Sequence, residues 1–219
     1  MARHIIFGHL TVALLAAGAV LHAQARLNES SSLLQDAGRA LAAGDVGAAE
    51  QKLQWILHRS PENYRALDLL GIVRAQQQRN SEAETIFQRV IKSRPDYASA
   101  HINLGLLYIQ MGEQEQAVPQ LEEGLRLAPD RLDATTALTG ILRDQARAAV
   151  AGDPEKALSL LLRARRLQPS DPDVQFDFGM VALRMSSNGW TSSLRTSPRN
   201  IRHRLRSPMR SSKEKTGRA

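Results

Sequence analysis

ASAHINLGLLYIQMGEQEQAVPQLEEGLRLAP, residues Ala98 to Pro129, is the stretch from which the rest of the chain can be read. Leu104-Gly105 is followed by Tyr108, then by Ala117, Leu121 and Pro129, with apolar residues at helical spacing between them. The frame recurs along the chain. Pro61, Pro95 and Pro129 lie 34 residues apart, and so do Leu70-Gly71 and Leu104-Gly105. A fixed period of this size means units that cannot bury an apolar face alone and close a core only by stacking on their neighbours.

The order L-G-x2-Y, A-x3-L and a closing proline resembles the tetratricopeptide repeat family, whose period is also 34 residues. The resemblance runs from residue 30 to 184. It implies an all-α fold, a right-handed superhelical solenoid of antiparallel helix pairs. Units are expected at about 30–63, 64–97, 98–131 and 132–171, with a half repeat at 172–185.

In the first unit Gly44-Asp45 is a helix stop followed by a capping residue for the next start. Its small residues Ala37 and Ala49 fall where two helices would cross, with Leu53 and Ile56 facing the next unit. The second unit matches at Leu67, Leu70-Gly71, Ala83, Phe87, Val90 and Pro95, with Arg74 in place of the usual Tyr. Ser81 and Glu84 are spaced as a capping box for its second helix. Glycine at each crossing lets two backbones approach to packing distance. Pro119 lies inside the second helix of the third unit, where a bend rather than a break is expected. The fourth unit is 40 residues from Pro129 to Pro169, and its added residues around Gln145 to Val150 predict a first helix about 9 Å longer than its neighbours. Asp153-Pro154-Glu155 is a helix start with its cap and first-turn proline. Phe178-Gly179 holds the crossing position of the half repeat, whose helix is apolar on more than one face.

The two ends differ in kind. Arg3 and His4 precede an apolar run from Ile5 to Leu21, and Ala23-Gln24-Ala25 offers a small-residue cleavage site, so residues 1–25 read as a secretory signal peptide. As an uncleaved anchor the run falls short of the roughly 20 residues a span needs. No cysteine stands near the cleavage site for a lipid anchor, so the mature chain is expected to be exported, periplasmic or extracellular, with no membrane span. From Ser186 to Ala219 there are nine Lys or Arg against the single acid Glu214, while the whole chain is only +7. Eight serines, Pro198 and Pro208 mark this tail as disordered. It reads either as a basic arm for nucleic acid or an anionic envelope polymer, centred on Arg202, Arg204 and Arg206, or as an out-of-frame ending of a longer array, a further alternative being the truncated regulatory part of a longer enzyme.

Catalytic patterns are missing from the sequence. With no cysteine there are no disulfides, thiol nucleophiles or thiolate metal sites. The six histidines are scattered, and His101 reads as a partly exposed residue between units. Asp171, Asp173 and Asp177 lack the glycine and spacing of a calcium loop and read as acids favoured at a helix start. Phosphate loops, zinc-protease signatures and nucleophile elbows do not occur. The chain is therefore expected to be a non-enzymatic scaffold without cofactor.

Its partner is expected to be a protein or peptide, with nucleic acid not the expected ligand. The resemblance implies a concave groove lined by fixed positions of each first helix: Arg65, Asp68, Ile72 and Ala75; Ser99, Ile102, Leu106 and Ile109; then Asp133, Thr136, Gly140 and Arg143. The set is apolar in the middle and charged at its ends, as suits an extended or helical segment. Members that clamp a C-terminal carboxylate use Lys, Asn and Arg at set places. Here those places hold Leu34, Gly38, Leu69, Ser99 and Asn103, or one repeat later Asp68, Ile72, Asn103, Asp133 and Ala137. Neither register can hold that ligand.

Overall fold

The computed structural model describes the backbone of residues 29–196 and the side chains of 29–186. The proposed signal peptide, residues 1–25, and the tail beyond Thr196 lie outside the described residues. Among the described residues there are nine helices and no strand. They are α1 (29–42), α2 (Val46–Arg59), α3 (Tyr64–Gln76), α4 (Asn80–Ser93), α5 (Ala98–Gln110), α6 (Gln114–Leu127), α7 (Leu132–Ala149), α8 (Pro154–Leu167) and α9 (Pro172–Thr196). Two compact units divide within α7, one ending at Ile141 and the other beginning at Leu142.

Local chemistry repeated along the chain makes the helix pairs. After α1, α3 and α5 the chain turns through a left-handed residue, Gly44 (φ 77°), Gln78 (φ 62°) and Gly112 (φ 79°). Each turn closes the same way: the amides of Asp45, Arg79 and Glu113 donate to the carbonyls of Ala40, Arg74 and Tyr108. Glycine adopts this conformation freely, whereas Gln78 holds it against its own Cβ. The opposite turns are set by proline. Ser60, Arg94, Ala128 and Gln168 each precede a proline and all sit at φ between −142° and −133° with ψ near 80°, the extended region to which a following proline ring confines its neighbour. Asp45 and Asp153 accept from the amides of Ala48 and Lys156, both at 2.9 Å, capping α2 and α8.

In the first unit successive helices pack in order, α2 on α3, α3 on α4, α4 on α5 and α5 on α6, with α3 also touching α5. Ala37 of α1 joins Ala49, Leu53, Ile56, Ala66 and Val73 in one core. The crossings are tight where glycine stands. A Cβ added at Gly71 would lie 2.5 Å from the Phe87 ring, and one at Gly105 would lie 2.7 Å from Leu121 Cγ. In the second unit α8 packs on α9, and Leu160, Leu161, Val174 and Val181 are buried.

The position filled by Tyr in the third repeat and Arg in the second does one job with two chemistries. Tyr108 donates its hydroxyl to Glu84 at 2.8 Å, and Arg74 reaches Glu50 at 2.8 Å, each acid lying on the preceding second helix.

Several expectations are corrected. Ser81 and Glu84 form no capping box: α4 begins earlier, at Asn80, after Arg79, which has no side-chain cap. Glu84 is engaged by Tyr108, and Arg79 instead grips Glu82 with two bonds of 2.7 Å. α6 continues through Pro119 without a break, as expected. α7 has 18 residues against 13 in α3 and α5, an excess of about 7.5 Å rather than 9 Å, because the chain already turns at Val150. The stretch 186–196, expected to be disordered, is helical as part of α9. No proline interrupts it before Pro198, and the residue ahead of a proline is where a helix is disfavoured.

Candidate functional site

Residues of α3 and α5, with Phe87 of α4, line a chamber of about 530 Å³. Its apolar floor is Ile72, Ala75, Phe87, Leu106 and Leu107, and amides from Gln76, Asn103 and Gln110 rim it. Ile72, Ala75 and Leu106 are only half-buried. Three residues picked from the sequence are thus brought together, and Ile109, also half-buried, lies on the same helix.

Ile102 is not part of this surface. Its side chain is fully buried against α6, where a Cβ on Gly124 would collide with Ile102 Cγ1. The missing side chain at Gly124 turns Ile102 into the core, so the expectation that it lines a groove is overturned by packing.

Beside the chamber stands a polar cluster. Asp68 is 4% exposed; Asn103 Nδ2 donates to its Oδ1 at 2.9 Å and the Tyr97 hydroxyl to its Oδ2 at 3.2 Å. Burial pushes the Asp68 carboxyl up to about 6, while the hydrogen bonds from Asn103 and Tyr97 and the charge of Arg131 oppose the rise. The Tyr97 phenol is raised to about 12, first by burial and then by the Asp68 charge. Tyr97 also packs edge-on against Tyr64 at 4.9 Å.

Arg131 ties two more of the selected residues to this corner. It binds Asp133 through Nε at 3.0 Å and Nη2 at 2.6 Å, and its Nη1 donates to Ser99 at 3.3 Å. The hydrogen bond from Arg131 holds the Asp133 carboxyl below its usual range. Tyr97, Asn103 and Arg131 were not selected from the sequence as lining residues. They stand just outside the regular lining positions, and only the partner-to-partner distances reveal them. Arg65 and Thr136 are exposed.

Arg143, in the second unit, is engaged rather than open: it donates through Nε to Asp177 at 2.8 Å and through Nη1 to Asp173 at 3.0 Å. Gly140 has open space where a Cβ would stand.

The residues weighed for metal binding have other duties. Asp171 caps α9, accepting from the amides of Asp173 at 2.8 Å and Val174 at 3.0 Å. His101 is buried rather than partly exposed, with Nδ1 2.9 Å from Gln120 Oε1 and Nε2 3.0 Å from the Pro95 carbonyl. Among the described residues no His, Asp and Glu cluster could hold a metal ion, and no helix is long and apolar enough to cross a membrane.

Two tetratricopeptide repeat profiles match the sequence, over residues 62–130 and 102–172. The chain belongs to the tetratricopeptide repeat family. Cellulose synthase 2 operon protein C of Komagataeibacter xylinus is 31% identical over 140 residues, 63% of this chain and 10% of that protein. Protein O-mannosyl-transferase TMTC3 of Homo sapiens is 32% identical over 97 residues, 44% of this chain and 11% of that protein. The tetratricopeptide chain therefore spans about a tenth of the length of these curated relatives. Among solved structures, Pseudomonas aeruginosa pilF superimposes with a TM-score of 0.56 at 18% identity, covering 74% of this chain and 71% of that one; this is a likeness of fold. As a tetratricopeptide repeat array the chain is a scaffold for protein–protein contacts.

Proposed function

We propose that this chain is a non-enzymatic, exported interaction module whose α3/α5 chamber docks a segment of a partner protein. The observation that carries the reading is the half-buried apolar floor of Ile72, Ala75 and Leu106 under a rim of side-chain amides. An apolar side chain of the partner displaces water from that floor, at about 25 cal/mol for each Å² covered. The amides of Asn103, Gln76 and Gln110 lie where they can bond the partner's backbone, which an extended segment leaves unpaired. Asp68, Arg131 and Asp133 hold the adjoining corner rigid, so little order has to be acquired on binding.

The test is affinity capture from the cell envelope with the full chain and with Leu106→Asp. A partner recovered by the first and lost with the second supports the chamber; equal recovery removes it. Export is tested by fractionation, with mature protein expected outside the cytoplasm and a cytoplasmic location refuting it.

A further inference from the structure

The turn between α3 and α4 carries a strain that its two counterparts avoid. In the repeats on either side the left-handed residue is Gly44 (φ 77°) and Gly112 (φ 79°), and at each a Cβ would enter open space. Gln78 takes the same conformation (φ 62°) with a Cβ, a strain that glycine in its place would not carry. Residues held in disfavoured backbone regions gather at binding sites, where the side chain has a task the turn itself does not explain.

Packing gives Gln78 no such task. The residue is exposed, and among the described residues its side chain has one hydrogen-bond partner, Gln110, whose Nε2 donates to Gln78 Oε1 at 3.5 Å, the outer limit of such a bond. Its place is on the lining of the α3/α5 chamber, beside Gln76, Asn103 and Gln110.

The same lining restricts what can enter. None of its residues is ionisable, and the charges that flank Gln76 and Gln78 in sequence are answered inside the chain, Arg74 by Glu50 at 2.8 Å and Arg79 by Glu82 at 2.7 Å. A charged side chain seated on Ile72 and Leu106 would lose its water and meet no counter-charge. Hydrogen-bonding directions are set as well. Asn103 gives Nδ2 to the Asp68 carboxylate at 2.9 Å, which can only accept, so its Oδ1 is left as an acceptor. Gln78 uses Oε1 on Gln110 and keeps Nε2 as a donor. A peptide unit, with one N–H and one C=O, answers both.

We propose that Gln78 is a binding residue of the chamber, kept in its strained conformation because Nε2 donates to a backbone carbonyl of the partner segment, and that this segment is extended and uncharged where it enters. The inference rests on the chamber being a docking site; it adds which residue grips the occupant and which chemistry is refused.

The probe comes from a phage-displayed library of random dodecapeptides, panned on the immobilised full chain with Leu106→Asp as counter-selection. One selected peptide is labelled with fluorescein and measured by anisotropy. Gln78→Gly is expected to melt about 2–4 °C higher and to bind the peptide about tenfold more weakly, the loss of one hydrogen bond. Stability and affinity then move in opposite directions, which damage to the fold would not produce. Gln78→Ala keeps the Cβ and removes the carboxamide, and should weaken binding as much with the melting point unchanged. Glutamate or lysine at the peptide's most sensitive apolar position should lower affinity about tenfold or more. If no peptide survives the counter-selection, the chamber is not a docking site and the proposal falls with it. If one survives and both Gln78 variants bind it as the parent does, the chamber stands and the role of Gln78 is overturned. An ionised residue at the position most sensitive to alanine would overturn the uncharged occupant.

Discussion

Gly105 and Gly179 occupy the same place in their repeats, each following an apolar residue in a first helix, yet alanine should act on them with opposite sign. A glycine-to-alanine change inside a helix gains about 1 kcal/mol from backbone entropy and helix propensity. At Gly179 nothing lies within 4 Å of the new Cβ, so that gain is kept. At Gly105 the methyl would meet Leu121 Cγ at 2.7 Å, Leu121 Cδ2 at 2.9 Å and the Ala117 carbonyl at 3.3 Å. Leucine can shift, but the backbone oxygen cannot, and overpacking of this kind costs about 1–3 kcal/mol. Gly105→Ala is therefore neutral to about 2 kcal/mol destabilising, and Gly179→Ala stabilising by about 1 kcal/mol. At roughly 2–4 °C per kcal/mol for a chain of this size, the two variants should melt several degrees apart. Leu121→Ala alone should cost about 2–5 kcal/mol. Combined with Gly105→Ala it should cost less than the sum, because the new methyl occupies space the leucine vacated. Urea unfolding followed by circular dichroism at 222 nm, together with thermal melts, measures all four proteins. If Gly105→Ala raises the midpoint as far as Gly179→Ala does, the close helix crossing is wrong.

Other consequences follow from single contacts. The folded Asp68 carboxyl at about 6 binds its proton more tightly than the unfolded group at 3.8, so its contribution to stability is full below pH 4 and is lost as pH rises to about 6. The loss is up to about 3 kcal/mol. Asp68→Asn should flatten that window and raise stability at neutral pH; Glu50, held low by Gln77 and Arg74, and Asp133 act in the opposite sense at lower pH, so the readout is the difference between variant and parent from pH 4 to 7. An unaltered pH profile in the variant would remove the buried carboxylate as its cause. Ile102→Asp places a charge in the core and should cost more than about 4 kcal/mol, whereas Leu106→Asp, half-buried, should lower the melting point far less; equal losses would mean that Leu106 is core as well. Gln78→Gly should stabilise by about 1 kcal/mol by relieving a left-handed residue that glycine fills at 44 and 112. A lower melting point for this variant would show the turn to be unstrained.

The helix pairs were legible in the sequence because what makes them is local. Gly44-Asp45 turns and caps within five residues, Pro61, Pro95 and Pro129 hold the residues before them extended, and apolar spacing selects the buried face of each helix. One local reading failed at Ser81 and Glu84, because Tyr108, from the next repeat, offered Glu84 a better partner than a helix end did.

Which side chains remain open was decided only in three dimensions. Ile102 and Leu106 are one turn apart with the same chemistry, yet Ile102 is buried because Gly124 on the facing helix leaves a hollow for it, while Leu106 faces the chamber. Asp68 comes from one repeat and Asn103 and Arg131 from opposite ends of the next, and no period relates their meeting. A local pattern fixes where a backbone bends and which face it hides. The choice between a filled hollow and an open one depends on the side chain that arrives from another helix.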